Sequence, residues 1–330
     1  MGRILLYIDL FEKQAFCAGS TINGKVVLQL EKAKMVDKIN VTFSGRAYIF
    51  VSEFEQELKK EKCSHIDSDQ ENLVDFTTTV WSGSNQQFLD AGRHTFPFSI
   101  EIPHSLPSSF LCENLKGCHI AYGLKATVVR PKKKDQSTEI PVSVSNIVDV
   151  GHSSFVNPQC VSSTKEKCSL FKCFSNNGHI AMAITTNHCG YCVGDSVIIS
   201  ADIENHTNSK VSSLQTTLMR NVMHKDHVHK KYCTILETAE DNKIWTKKML
   251  QIPSTSPSIT DCHLVKVTYE LKVKLRMTNK SKLTVSLPIT IGSAKEESSD
   301  DGYSEQCNLV TRYPSNDTLL SVSSTECLLD

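Results

Sequence analysis

The sequence lacks any long run of apolar residues. Its first apolar run extends from Ile4 to Ile8 and stops at Asp9. A signal peptide needs roughly 7–15 apolar residues and a membrane-spanning helix about 20. We therefore expect a protein that is neither exported nor held by a membrane helix, and that lies in the cytoplasm.

An excess of charge of one sign is also lacking. The 36 side chains of Lys and Arg equal the 36 side chains of Asp and Glu in number, so no overall field attracts nucleic acid or an anionic membrane. We predict no nucleic-acid partner, and any electrostatic contact must be local. The 13 cysteines are interpreted as reduced thiols, because disulfides are rare in the cytosol.

Catalytic motifs are the third absence. The sequence contains no glycine-rich phosphate loop, no HExxH, no GxSxG and no pair of carboxylates in a recognisable frame. We therefore predict a protein that is not an enzyme and that holds no cofactor and no metal ion.

What the sequence does contain is alternation of apolar and polar residues, which is the period of β-strands. In the clearest example, from Val265 to Met277, every second residue is apolar and those between are mostly charged. One face of such a strand is buried and the other is solvated. Helical periodicity is nearly absent, so we predict an all-β protein.

Four short patterns recur in the same order in the two halves of the chain, which indicates that one domain was duplicated. The pairs are Cys17–Ile22 with Cys192–Val197, Ile102–Ser108 with Ile252–Ser258, Tyr122–Lys125 with Tyr269–Lys272, and Ile140–Val144 with Leu287–Ile291. Short strands with proline at their edges are typical of sandwiches. The predicted fold is two tandem immunoglobulin-like β-sandwich domains.

Changes in composition predict the bounds of four segments. These are a first sandwich over 1–150, a linker with the approach to the second domain over 151–177, a second sandwich over 178–293, and a tail over 294–330. Within the first sandwich, the polar stretch from Glu53 to Thr79 is interpreted as an extended loop.

The tail is acidic and rich in serine, a composition typical of disorder. Ser298 and Ser299 precede Asp300 and Asp301 and are candidates for regulatory phosphorylation. An unmodified, solvated terminus has the same composition, so both interpretations stay open.

Longer motifs in both halves resemble those of one family. In the first half they are Leu89–Phe98, Leu106–Phe110, Tyr122–Ala126 and Arg130-Pro131. In the second half they are Gly190–Gly194, Ile203–Asn205, Ile252-Pro253, Ser258-Ile259 and Leu287–Gly292. Together they resemble the N- and C-domains of the arrestin-domain-containing proteins, the α-arrestins, over nearly the whole chain outside the tail.

The resemblance implies two arrestin-type sandwiches and a non-enzymatic adaptor. Such an adaptor binds cytosolic parts of membrane-protein cargo, either receptors or transporters, and directs their ubiquitination, endocytosis or endosomal sorting. It also implies a cytoplasmic protein that lies peripherally at the plasma membrane and endosomes. A structural subunit of a trafficking coat is the alternative function, because other trafficking proteins share arrestin-like sandwiches.

The sequence departs from the family pattern in one respect. Many α-arrestins recruit the WW domains of HECT-type ubiquitin ligases through PPxY motifs, and this sequence contains none; Tyr313-Pro314 has the order reversed. A docking mode that needs a proline-rich ligand then lacks that ligand. The adaptor would then recruit a HECT-type ubiquitin ligase in a different way or not at all.

A dense basic run is the candidate site for an anionic partner. It consists of Arg130, Lys132, Lys133 and Lys134 with Pro131 between them, and it would suit lipid headgroups or a phosphorylated segment. Its position between two predicted strands also fits a hairpin tip whose lysines are only solvated.

Two further motifs could bind metal or carry thiol chemistry. Cys189 and Cys192 form a CxxC, which fits a redox pair or half of a zinc site with Cys168 and Cys173 nearby, but also an ordinary loop. We favour the loop and keep a thiol-redox or zinc protein as a further alternative function.

The second motif is HxxHxH, formed by His224, His227 and His229. It fits a transition-metal patch or a basic strand end. We favour the strand end.

Overall fold

The computed structural model describes residues 3–12, 15–50, 68–83, 88–112, 118–131, 133–166, 178–224, 231–241 and 246–293. Of these residues, 69% lie in β-strands and very few in helices. One short helix, α1 (Ser153–Val156), begins after His152, whose ring accepts a hydrogen bond from the amide of Ser154. None of the described helices is long and apolar enough to cross a membrane.

The first half of the chain forms two facing sheets. Its strands are β1 (Ile4–Leu10), β2 (Ala15–Cys17), β3 (Thr21–Leu30), β4 (Lys34–Met35), β5 (Lys38–Phe50), β6 (Ser68–Ser82), β7 (Phe88–Leu89), β8 (Gly92–Glu101), β9 (Phe110–Leu111), β10 (Cys118–Val129) and β11 (Gln136–Ser145). One sheet has the order β1-β3-β8 and the other β2-β11-β10-β5-β6, with β9 beside β10; β4 and β7 form a small ladder.

The second half repeats this plan. Its strands are β12 (Gln159–Glu166), β13 (His179–Thr186), β14 (Gly190–Cys192), β15 (Ser196–Asn205), β16 (Val211–His224), β17 (Lys231–Asp241), β18 (Lys247–Gln251), β19 (Val265–Met277) and β20 (Lys282–Gly292). The sheet orders are β12-β13-β15-β18 and β14-β20-β19-β16-β17. The predicted all-β fold of two tandem sandwiches is confirmed.

The core follows the alternation seen in the sequence. Along β19, each apolar residue from Val265 to Met277 is buried, while the intervening residues are at least partly exposed. Burying one Val, Leu or Ile side chain stabilises a fold by about 1.5–3 kcal/mol. The inward rows of the facing sheets therefore supply the main driving force for each sandwich.

The repeated Cys-x-Gly pattern forms the same turn in both sandwiches. Gly19 and Gly194 have φ angles of 85° and 88°, in the left-handed region that a side chain disfavours. The Gly19 amide donates to Ile102 O, and the Gly194 amide donates to Ile252 O at 2.9 Å. Each turn thus ties the strand before it to the start of the repeated proline loop.

The repeated proline loops bond to the repeated closing strands in the same way. The amide of Ser109 donates to Val144 O at 2.7 Å, and the amide of Val144 donates to Ser109 Oγ at 2.9 Å. In the second sandwich, Ser258 and Ile291 exchange the same two bonds at 2.8 and 3.0 Å. These matched contacts explain physically why the patterns recur in one order.

A buried tyrosine anchors each proline loop. Tyr122, which is 4% exposed, donates its hydroxyl hydrogen to Pro107 O at 2.7 Å. Tyr269, which is 1% exposed, donates to Ser256 O and also contacts the Thr255 hydroxyl. Both belong to the Tyr-x-Leu-Lys pattern, so the tyrosine in that pattern has the same structural role twice.

The predicted loop over 53–79 is wrong in its second half. Strand β6 begins at Ser68 and pairs along β5 as far as Lys38 opposite Ser82. The β-branched residues Thr77 to Val80 favour a strand, and β5 offers them an unpaired edge. Residues 53–67 lie outside the described part of the chain.

The predicted linker over 151–177 also contains regular structure. Helix α1 lies near its start, and strand β12 pairs antiparallel with β13, from Gln159 opposite Thr186 to Glu166 opposite His179. The approach to the second domain is therefore itself a strand of that sandwich. Residues 167–177 lie outside the described ranges, and the four segment bounds stay a prediction.

We predict that Tyr122→Phe and Tyr269→Phe each lower the free energy of unfolding by about 1–3 kcal/mol, because a buried carbonyl loses its donor. Urea unfolding measures the change. The control is Tyr7→Phe, which removes an exposed hydroxyl that accepts from Arg93 and should change stability little. Equal effects of all three substitutions would contradict the anchoring role.

Candidate functional site

The two sandwiches meet along a seam that contains polar contacts. Glu71, on β6 of the first sandwich, accepts a hydrogen bond from the amide of Leu264 at 2.7 Å and a longer one from Cys262 Sγ at 3.5 Å. Cys262 and Leu264 belong to the segment that leads into β19 and are both buried. One carboxylate therefore holds the start of a central strand of the other sandwich.

The connection after β11 adds further contacts to the seam. Asn146 Nδ2 donates to Asp261 Oδ2 at 2.8 Å. The amide of Val148 donates to Ser293 Oγ, and the amide of Ser293 returns a bond to Val148 O. The end of the first sandwich is thus tied to the end of β20.

A buried cation lies where the sandwiches meet. Arg220, on β16, is 8% exposed, and its guanidinium carbon lies 5.8 Å from the centroid of the Phe110 ring on β9. Such a cation–π contact contributes more when it is desolvated. Burial raises the pKa of the neighbouring Tyr269 hydroxyl, while Ser256, Thr255 and Arg220 lower it.

Two thiols close to the seam are held protonated. Burial raises the pKa of Cys118 far above its usual range, and the neighbouring Cys112 and Cys262 raise it further. Burial likewise raises the pKa of Cys262 to about 11. Because the thiolate is the reactive form of cysteine, these side chains act as small packing groups in the folded protein.

The basic run lies at a hairpin tip. Residues 130–135 connect β10 to β11, and the ladder closes with Val128 opposite Gln136. Arg130 is used within the hairpin: its amide donates to Asp135 Oδ1 at 3.3 Å and its guanidinium donates to Lys134 O. Lys133 and Lys134 are exposed, so they can reach an anionic partner; Lys132 lies outside the described residues.

The two thiols of the CxxC motif lie at either end of strand β14, because Cys189 directly precedes the strand and Cys192 is its last residue. Residues three apart in a strand lie about 10 Å from one another and point to opposite faces, whereas a disulfide needs Cα atoms within about 7 Å. Cys189 Sγ instead donates to Ser154 O at 3.3 Å. The alternative of a redox pair formed by Cys189 and Cys192 is therefore disfavoured.

The remaining sequence candidates fall outside what the structure describes. Residues 225–230 and 294–330 are not described, and the His224 side chain is not described either. The HxxHxH motif and the phosphorylation sites Ser298 and Ser299 therefore stay predictions. Cys168 and Cys173 lie outside the described ranges as well.

A long sheet edge lies next to the seam. Among the described strands β6 pairs only with β5, so the other side of its ladder is open. Phe76, midway along β6, is 51% exposed. An edge with an exposed aromatic residue can accept an extended peptide as an added strand. This edge is not predicted from the sequence, whose polar composition favours a loop over much of β6.

Comparison with known proteins agrees with this geometry. Residues 4–151 match the family model described as "Arrestin (or S-antigen), N-terminal domain", and residues 176–296 match "Arrestin (or S-antigen), C-terminal domain". The chain belongs to the arrestin family. The predicted resemblance to the arrestin-domain-containing proteins is thereby confirmed, and arrestin-family proteins are generally non-enzymatic adaptors.

Individual relatives of this arrestin-domain chain have low sequence identity to it but align with most of its length. Arrestin domain-containing protein 17 of Caenorhabditis elegans is 28% identical over 314 residues, covering 88% of this chain and 71% of that protein. Arrestin domain-containing protein 4 of Homo sapiens is 26% identical, covering 85% and 69%. Thioredoxin-interacting protein of Homo sapiens is 24% identical, covering 85% and 72%.

We predict that Glu71→Ala lowers the free energy of unfolding of this arrestin-domain chain by about 1–3 kcal/mol, because the buried amide of Leu264 loses its acceptor. Glu71→Gln, which keeps one carbonyl oxygen, should cost less. The control is Asp75→Ala on the exposed part of the same strand. Urea unfolding in which Glu71→Ala behaves like Asp75→Ala would contradict the role of the seam.

Proposed function

We propose that the chain is an arrestin-type adaptor that binds cytosolic parts of receptors or transporters and directs their ubiquitination, endocytosis or endosomal sorting. The observation that carries the proposal is the pair of consecutive arrestin domains joined across a polar seam. Two domains held together in this way offer one extended surface instead of two independent ones. Such a surface suits cargo with several contact points.

The β6 edge is the contact that we assign to an extended cargo segment. The outer side of its ladder, which no described strand engages, can bond to the backbone of an extended segment and so supply affinity, while Phe76 offers an apolar contact that selects side chains. The edge lies beside Glu71, so cargo bound there would lie close to the seam. Cargo bound on this edge would therefore affect the contacts that join the two sandwiches.

The proposal places the protein in the cytoplasm and peripherally at the plasma membrane and endosomes. Lys133 and Lys134 at the β10–β11 tip supply local positive charge for anionic headgroups, in a chain without net charge. If a HECT-type ubiquitin ligase takes part, the chain recruits it by a route other than PPxY, a motif that the 330 residues do not contain.

We predict that proximity labelling in cells, followed by pull-down from membranes, identifies receptors, transporters or sorting proteins beside the full chain. Phe76→Lys should lower their recovery several-fold, because a charge on the edge opposes strand addition. The control is Leu5→Lys, a residue of equal exposure (51%) on β1, an edge strand of the other sheet of the first sandwich. A chain cut after Gly292 tests whether the tail contributes.

The results of this experiment test the adaptor function and the β6 contact separately. Recovery of no receptor, transporter or sorting protein by the full chain would overturn the proposed function. Loss of partners in Leu5→Lys but not in Phe76→Lys would leave the adaptor function in place and move the contact to β1. A single partner in constant stoichiometry would favour the coat subunit.

We predict that Lys133→Glu with Lys134→Glu weakens binding to vesicles that contain phosphatidylserine by about tenfold or more, since each lysine near such a surface contributes about 1 kcal/mol. Co-sedimentation measures this binding. The control is Lys280→Glu with Lys282→Glu, at the tip of the β19–β20 hairpin. Unchanged binding in the first pair would exclude the β10–β11 tip as a lipid contact.

A further inference from the structure

One end of the second sandwich brings together three side chains that can ligate a metal. His179 begins β13, Glu204 lies near the end of β15, and His206 follows that strand. Their ligand atoms all lie within 4.8 Å of one another, and all three residues are exposed. Within the described part of the chain, this is the one group of three such residues with this spacing.

Strand register explains why they share a face. Ala181 pairs with Glu204 and Ile180 with Asn205, so the next pair in the antiparallel ladder is His179 with His206. The amide of His206 donates to His179 O at 2.9 Å, which holds this pair in place. Because alternate residues of a strand point to one face, Glu204 lies on the same face as both imidazoles.

The backbone around the two imidazoles is tightly packed. A Cβ at Gly178 would lie 2.1 Å from His206 O, so the chain before His179 approaches the β15–β16 turn closely. Asn205 Oδ1 accepts from the amide and hydroxyl of Thr207, and Asn205 Nδ2 donates to Ser209 O at 2.8 Å. The turn that carries His206 is therefore fixed by its own side chains.

The small residue opposite Glu204 leaves room above the face. Ala181 presents only a methyl group, so nothing longer from β13 lies between Glu204 and the imidazoles. The two imidazole rings lie 4.6 Å apart with an interplanar angle of 38°. No described hydrogen bond or ion pair engages the imidazole nitrogens or the Glu204 carboxylate, so their lone pairs are available.

The spacing of the ligand atoms suits a small cation. In a tetrahedral site with bonds of about 2.0–2.2 Å, ligand atoms lie about 3.4 Å apart. Side-chain rotations that move each ligand atom by up to about one ångström bring the three atoms to that separation. Two imidazoles and a carboxylate are ligands of zinc and its neighbours rather than of Mg²⁺ or Ca²⁺.

We propose that His179, Glu204 and His206 bind one divalent transition-metal ion of the zinc class, with the remaining coordination position open to water or to a side chain of a partner. The ion would link the start of β13 to the β15–β16 turn. It would thereby join segments that lie 27 residues apart, at the end of β13 where His179 pairs with Glu166 of β12.

Cobalt and zinc titrations of the full chain test the proposal, with Mg²⁺ as the negative probe. We expect one equivalent of Zn²⁺ by calorimetry in a reducing buffer free of chelating thiols. The Co²⁺ complex should show d–d absorption without the intense near-ultraviolet bands of thiolate ligation. His179→Ala and His206→Ala should each lower the affinity at least about tenfold, since even changes beside metal ligands cost that much. Glu204→Gln should lower it less.

Two control variants and a second measurement complete the test. Asp202→Asn changes a carboxylate on the same face of β15, and His94→Ala removes a half-buried histidine of the first sandwich; neither should change the affinity. Zn²⁺ should raise the melting temperature of the wild-type chain but not that of His206→Ala. Binding unchanged in both histidine variants, or thiolate bands in the Co²⁺ spectrum, would overturn the proposal.

Discussion

Both sandwiches depend on one recurring interaction, a buried tyrosine hydroxyl that donates to a carbonyl of a proline-containing loop. Tyr122 does so in the first sandwich and Tyr269 in the second. The loop it holds then exchanges hydrogen bonds with the closing strand, which in turn pairs with the short parallel strand before the glycine turn. The repeated sequence patterns are therefore successive links of one connected network.

The seam adds polar contacts to an apolar cluster that extends through both sandwiches. Glu71, Asn146 and Asp261 make directed polar contacts there, and Arg220 brings a charge against Phe110. Hydrogen bonds of this kind define a relative orientation more sharply than apolar contact does, because they weaken steeply with distance and angle. These polar contacts therefore make the relative placement of the two sandwiches specific.

The fold was predictable from local patterns, and the sites were predictable only in part. Alternation along Val265–Met277 and the repeats around Tyr122 and Tyr269 are properties of neighbouring residues, so the sequence predicts the sandwiches directly. Strand β6 was missed because polar and acidic residues mask its alternation. CxxC suggested a pair of thiols, but an extended strand separates residues three apart.

Sites built across strands carry no such local signal. The register of β13 and β15 brings together His179, Glu204 and His206. This register cannot be predicted from the spacing of the three residues in the sequence. The same holds for Glu71 and Leu264, whose contact depends on how one sandwich lies against the other. A hairpin tip is easier to predict from the sequence than a site built across strands. Arg130–Lys134 lies between two recognisable strands, and a hairpin tip is one of the two interpretations that the sequence offers for it.

The contact between Glu71 and Leu264 joins residues 193 positions apart, and this separation has a consequence for synthesis. A ribosome adding 5–20 residues per second takes about 10–40 s to cover that distance. During that interval the first sandwich can fold and form its own hydrogen bonds. Its seam face, which includes Phe110 and the Glu71 carboxylate, stays uncovered until the second half is synthesised. A nascent chain therefore exposes, for some seconds, a surface that chaperones can recognise and that the finished protein conceals.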